Sequence, residues 1–170
     1  MMAKWEMTGA ADQYVQMLEQ LGMKTPEMIG RAIYPAAGLV TDQIRKNIQT
    51  IPVISDGRRG TPSNPIDGIT SAQRAGLAEG LGITHLEEKN GFVSVKVGFS
   101  GYNSQVSTRS VNAKWTNKRQ PNAMIARSVE SGNSFRKKHP FIAPAVSKTK
   151  RTAEERIKVE IEAEIKKLGF

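Results

Sequence analysis

No cysteine occurs among the 170 residues, which excludes a disulfide-stapled scaffold, a thiolate metal site and a cysteine nucleophile together. Histidine is scarce: His85 and His139 are the only two, too few for a multi-histidine zinc centre. Each reads as a loop, cap or surface residue rather than a catalytic base. Apolar runs never approach the ~18–20 residues that a membrane-spanning helix needs, so no membrane association is expected. The N-terminus, Met1-Met2-Ala3-Lys4-Trp5-Glu6, lacks the apolar segment of a signal peptide, and a cytoplasmic site of action is expected. Hydrophobic residues amount to 38% and aromatics to 6%, enough for one core in a single domain spanning 1–170.

Catalytic patterns are missing too. Gly76, Gly80 and Gly82 form neither a dinucleotide fingerprint nor a phosphate-binding loop, and read as marks of close packing or a frayed helix. Nothing resembles a nucleophile elbow. Glu154, Glu155, Glu160, Glu162 and Glu164 alternate with Arg156, Lys158, Lys166 and Lys167. That is the pattern of ion pairs along a helix surface, not of a paired-carboxylate site. A protein without enzymatic activity, cofactor or metal is expected.

What the chain does carry is a local excess of positive charge. The formal net charge is +9, yet residues 106–151 hold 11 Lys/Arg against one acid, Glu130, while the remainder holds 14 basic and 15 acidic residues. Such a stretch attracts polyanions or acidic protein faces. Within it Lys114, Lys118 and Arg119 are candidates for DNA contact, and Arg136, Lys137 and Lys138 for contact with acidic protein surfaces.

Hydrophobic spacing outlines the elements. Lys4–Thr8 alternates as a short strand, and Tyr14, Val15, Leu18 and Leu21 sit at helical spacing before Gly22. Thr25-Pro26-Glu27 opens a long amphipathic helix to about residue 49, with the stripe Ile29, Ile33, Ala36 or Ala37, Val40, Ile44 and Ile48 and with Pro35 inside it. From 51 to 70, prolines and glycines alternate without periodicity, which predicts a long loop or arm with Arg58 and Arg59 near its tip as contact candidates. A short helix over 71–81 is followed by Asn90-Gly91, a strong hairpin signal, and by a strand with Val93, Val95, Val97 and Phe99 on one face. Residues 100–122 read as a second, basic loop containing Tyr102 and Trp115, and Ala123–Glu130 as a short ordered piece before a turn at Ser131-Gly132-Asn133. After His139-Pro140-Phe141 comes a C-terminal helix striped by Val146, Thr149, Ala153, Ile157, Ile161, Ile165 and Leu168. The capping-box spacing of Thr152 and Glu155 leaves a second helix start open there. The expected fold is α+β: three helices packed on a small, mostly antiparallel sheet, with long loops.

The order of the short motifs is more specific than any one of them. Ile44-Arg45-Lys46-Asn47 is followed by Pro52, Gly76-Leu77, the strand Val95-Lys96-Val97-Gly98, the turn Glu130-Ser131-Gly132 and the block Pro140-Phe141-Ile142-Ala143-Pro144-Ala145 before a charged helix. This series resembles the tail-completion (neck) protein family of long-tailed bacteriophages, over roughly residues 5–168. Ala75 and Asn133 stand where that family has threonine, and the stretch before Gly76-Leu77 is longer here. The resemblance implies a structural virion component without enzymatic activity. It further implies a homo-oligomeric, hexameric ring around the DNA channel, between head connector or head-completion proteins and the tail tube or tail terminator. Assembly would take place in the host cytoplasm, with non-specific contact to double-stranded DNA in the channel. The competing reading is a basic nucleic-acid-binding accessory protein that contacts the phosphate backbone.

Overall fold

A computed structural model describes residues 3–4, 15, 25–55, 60–90, 92–106 and 119–167. Helix α1 (Thr25–Thr50) and helix α4 (Ile142–Lys167) pack along each other and form the largest contact of the fold. The stripe expected on α1 is buried throughout, from Ile29 to Ile48, and faces Ala145, Ala153, Ile157, Ile161 and Ile165 of α4 in one continuous core cluster. Polar and charged residues cover the outer side of α4, joined by i,i+4 ion pairs such as Arg151–Glu155 and Arg156–Glu160. The helix runs unbroken through Thr152, so only one helix starts after Phe141.

The sheet lies beside this pair. Strand β7 (Lys96–Phe99) is central, with β1 (Ala3–Lys4) and β4 (Leu81–Ile83) antiparallel on either side. Val95 and Val97 turn into the core, as the period-two alternation requires. Strands β5 (Glu87–Lys89) and β6 (Phe92–Ser94) form the hairpin expected at Asn90-Gly91. Asn90 has φ +53°, in the left-handed region that asparagine tolerates and a tight hairpin turn demands. The fold is α+β as expected, with four helices described rather than three. Besides α1 and α4 these are two short helices, α2 (Ser71–Gly80), expected over 71–81, and α3 (Asn122–Ser131), where a short ordered piece was expected; one face of each is buried.

Two loop expectations need correction. The stretch 51–70 is not a free arm. Its ends form a parallel ladder, β2 (Val53–Ile54) with β3 (Ile69–Thr70), and Ile51 and Ile69 are buried in the core. Gly68 takes φ +128° and brings the chain so close to the Pro52 carbonyl that a Cβ would lie 2.2 Å from its oxygen. Only glycine fits there. Gly60 and Ile66 dock on the 133–137 turn, with the Ile66 N–H donating to the Phe135 carbonyl at 3.0 Å and the Lys137 N–H to the Ile66 carbonyl at 2.9 Å. The absence of periodicity is real, but these backbone groups are paired with a distant segment, a bonding that periodicity does not register. Likewise the stretch 100–122 is not all loop: β8 (Tyr102–Val106) and β9 (Arg119–Pro121) pair antiparallel at its two ends, with an irregularity between the bonded pairs. The remainder of the expected strand at Lys4–Thr8, the helix over 11–21 apart from Val15, and Leu168 lie outside the described residues.

Candidate functional site

Three of the motifs that carry the family resemblance meet at one point. A helix start leaves its first four N–H groups without intrahelical acceptors. At the start of α4 the four positions are Phe141, Ile142, Ala143 and Pro144. The buried Glu130 carboxylate accepts from the first three, at 2.7, 2.8 and 2.9 Å. The fourth residue is proline and has no N–H to satisfy. A carboxylate at this place also complements the positive end of the helix. From the other side the Asn47 amide of α1 donates to the Phe141 carbonyl at 2.9 Å. The Phe141 ring meets Phe99 of β7 edge-on, with centroids 5.9 Å apart. The Ile44–Asn47, Glu130–Gly132 and Pro140–Ala145 motifs are therefore one structural joint. They hold the helix pair, the turn and the sheet together and leave their chemistry inside.

A second joint explains Gly76-Leu77. Asn103 of β8 donates to the Ala72 carbonyl at 2.9 Å, and Asn122 donates to the Ser100 carbonyl at 2.9 Å. Both amides press on α2: a Cβ at Gly76 would stand 2.4 Å from Asn103 Nδ2 and 2.8 Å from Asn122 Oδ1, and one at Gly80 2.4 Å from the Ser100 carbonyl oxygen. Gly76 and Gly80 mark close packing, whereas Gly82 has open space around it. Helix α2 begins with a capping box, Thr70 Oγ1 accepting from Gln73 N–H at 3.2 Å and Gln73 Oε1 from Thr70 N–H at 3.3 Å. Its Thr-x-x-Gln signature is present in the sequence and escaped the sequence reading, as did the inward roles of Glu130, Asn103 and Asn122.

The basic candidates separate. Arg58, Arg59, Lys114 and Lys118 lie outside the described residues. Arg136 is no surface contact. It is 9% exposed, and its guanidinium donates to the Gly68 carbonyl and, at 3.1 Å, to Gln73 Oε1, pinning β3 and α2 to the turn after α3. Burial pushes its pKa below the ordinary arginine value, although a guanidinium stays charged near neutrality. Lys137 is exposed but engaged, with Nζ 2.9 Å from Asp67 Oδ2. The other Asp67 oxygen meets His139 Nε2 at 2.5 Å. The hydrogen bonds from Lys137 and then His139 hold the Asp67 carboxyl below the usual aspartate range. Lys138 and, on β9, Arg119 are exposed and make no ion pair among the described residues. They are the described cations left for an external partner out of those singled out in the sequence.

Large apolar side chains also reach solvent. Phe92 at the β5–β6 hairpin is 75% exposed and Tyr102 of β8 is 64% exposed. Among the described residues no group of His, Asp and Glu is placed to hold a metal ion, and no helix is long and apolar enough to cross a membrane. No protein-family model, no curated protein and no solved structure matches this chain.

Proposed function

We propose that this chain is a structural subunit of a long-tailed phage neck, a tail-completion protein that forms a ring around the DNA channel between head connector and tail tube. One observation carries the reading. The motif series that resembles the family includes three strings far apart in sequence which bond to one another as a single joint, Asn47 and Glu130 both closing on the Pro140–Ala145 block. In this role the chain does mechanical work: it contributes surfaces, not chemistry. The virion is its site of action and the host cytoplasm the place of assembly.

The test is direct. Mass photometry and negative-stain imaging of the purified chain at rising concentration should reveal closed rings, and the protein should co-purify with particles whose tails are joined. A strict monomer absent from particles would sink the reading. The nucleic-acid-binding alternative is favoured by one observation of its own: the 41 residues from 89 to 129 contain seven Lys/Arg and no acid. It requires the monomer to retain duplex DNA with a steep loss of affinity between about 50 and 200 mM salt.

A further inference from the structure

Of the four described helices only α3 exposes no acid. Helix α1 shows Glu27 and Asp42 to solvent, α2 shows Glu79, and α4 carries Glu154 and Glu155 on its outer side. In α3 the single acid, Glu130, is buried against the start of α4. Met124, Arg127 and Ser131 are exposed and Ser128 is half-buried. Their spacing of three, four and seven residues puts all four on one side of the helix.

The turn that follows is tied to that side. Asn133 and Arg136 exchange backbone hydrogen bonds in both directions, at 2.9 and 3.2 Å, which closes a tight loop with Ser134 and Phe135 at its tip. The Asn133 amide donates to Ser128 Oγ at 2.9 Å and accepts from the Phe135 N–H at 2.9 Å. The Phe135 carbonyl in turn accepts from the Ile66 N–H. The backbone of Phe135 is thus held from two sides beside α3, while its side chain stays 42% exposed and that of Met124 40%. Lys138 returns to the end of the helix, where a Cβ on Gly132 would lie 3.0 Å from its backbone nitrogen.

The charges on this side do not cancel. Lys137 is balanced by Asp67, which also meets His139, and Arg136 is buried on Gly68 and Gln73. Arg127 and Lys138 make no ion pair among the described residues. Methionine, arginine and aromatic residues are the types enriched where proteins meet, and groups already fixed in place lose less freedom on docking. A phosphate backbone would use the two cations but gains nothing from Met124 and Phe135. The chain's own charge of +9 opposes docking of this cationic side on a second copy.

We propose that the outward side of α3, together with the 133–136 turn, is a docking surface for a different, acidic protein. Met124 and Phe135 supply the apolar contact, and Arg127 and Lys138 meet the partner's carboxylates. The inference rests on the particle reading above, in which that protein is a neighbour in the neck.

Because the chain has no cysteine, a single introduced one can be labelled. Met124→Cys, Phe135→Cys and, as a control on the outer side of α4, Val159→Cys would each carry a thiol-linked benzophenone and be added to heads and tails made without this protein. On illumination the first two should cross-link to one other virion protein, at a segment rich in Asp and Glu, and the third should not. Unlabelled Arg127→Glu should lower the yield of joined particles about tenfold or more, while the melting temperature of the subunit stays unchanged. Cross-links to DNA, to a second copy of this chain or to a segment without acids would overturn the proposal. So would joining by Arg127→Glu at the parent's yield. In each of those cases the chain is still found in joined particles, and the neck reading stands. If the unlabelled parent never enters particles, both fail.

Discussion

Between Val106 and Arg151 the chain carries a single acid, and that acid, Glu130, faces inward to hold three backbone N–H groups. Hydrogen bonds to a charged group contribute more than neutral ones, and donors left bare inside a protein are costly. Glu130→Ala should therefore lower stability by about 2–3 kcal/mol, a Tm loss of roughly 5–10 °C for a chain of this size. Glu130→Gln, whose amide oxygen still accepts, should lose clearly less in the same melting experiment. Asp67 makes a second prediction at this scale. Its carboxyl, held below the usual range by Lys137 and His139, binds a proton less readily in the folded chain than in the unfolded one. Its contribution to stability is thus complete above the ordinary aspartate value of about 3.9 and is lost as pH falls through the lower folded value. In denaturant titrations the parent should be more stable than Asp67→Asn at neutral pH. The gap should close below about pH 4; a gap that stays constant to pH 3 would contradict this account.

Glycines within helices separate two opposing effects at the scale of the element. Alanine is better than glycine in a helix by about 1 kcal/mol, so the surroundings decide the sign. Gly38 in the middle of α1 has nothing within 4 Å of a built Cβ, and Gly38→Ala should raise stability by up to about 1 kcal/mol. Gly76 in α2 faces two buried asparagine amides at contact distances below 3 Å. Overpacking of this kind costs about 1–3 kcal/mol, so Gly76→Ala should destabilise despite the better helix former. Parallel melts of the two variants check both signs at once. The same joint explains why Asn103 and Gln105 of β8 face inward: they hold α2 by its backbone and its cap, and Tyr102, Ser104 and Val106 are left for the outside.

For the molecule as a whole, the split of the basic candidates changes which surface can act. Reversing Arg136 removes the buried donor that joins β3 and α2 to the turn after α3. Arg136→Glu should therefore collapse the thermal transition, and any loss of assembly would follow from misfolding. Lys138→Glu reverses an exposed charge. It should leave the melting curve of the subunit in place; under the proposed neck role it should weaken only contacts with acidic neighbours, read as a loss of head–tail joining in reconstituted particles. If Arg136→Glu melted like the parent, the buried role assigned to its guanidinium would be wrong. A related consequence concerns the stretch 51–70. Because Ile69 is buried and Ile66 is bonded to the 133–137 turn, excising 54–68 should lower the melting temperature of the subunit itself.

The elements legible in the sequence are those whose signal is local. Helices α1 and α4 follow from a 3.6-residue stripe of Ile, Val and Ala, and the β5–β6 turn from Asn90-Gly91 and its need for a left-handed residue. The strand through Val95 and Val97 follows from period-two alternation. Even the close packing at Gly76 was visible as a small residue without a phosphate motif. What required the tertiary structure were the pairings across long separations. Arg136 with Gly68, Glu130 with the start of α4, and Asn103 with α2 join segments whose own periodicity says nothing of a partner. A lone charged residue in a basic, loop-like stretch looks solvated until the backbone groups it satisfies are brought to it. That is why Arg136 reads as a contact residue in the sequence, and why the inward role of Glu130 does not show there. It is also why the outward face of β8 had no trace in the sequence: alternation tells that Tyr102 and Asn103 point opposite ways, and only the packing of α2 decides which of them is inside.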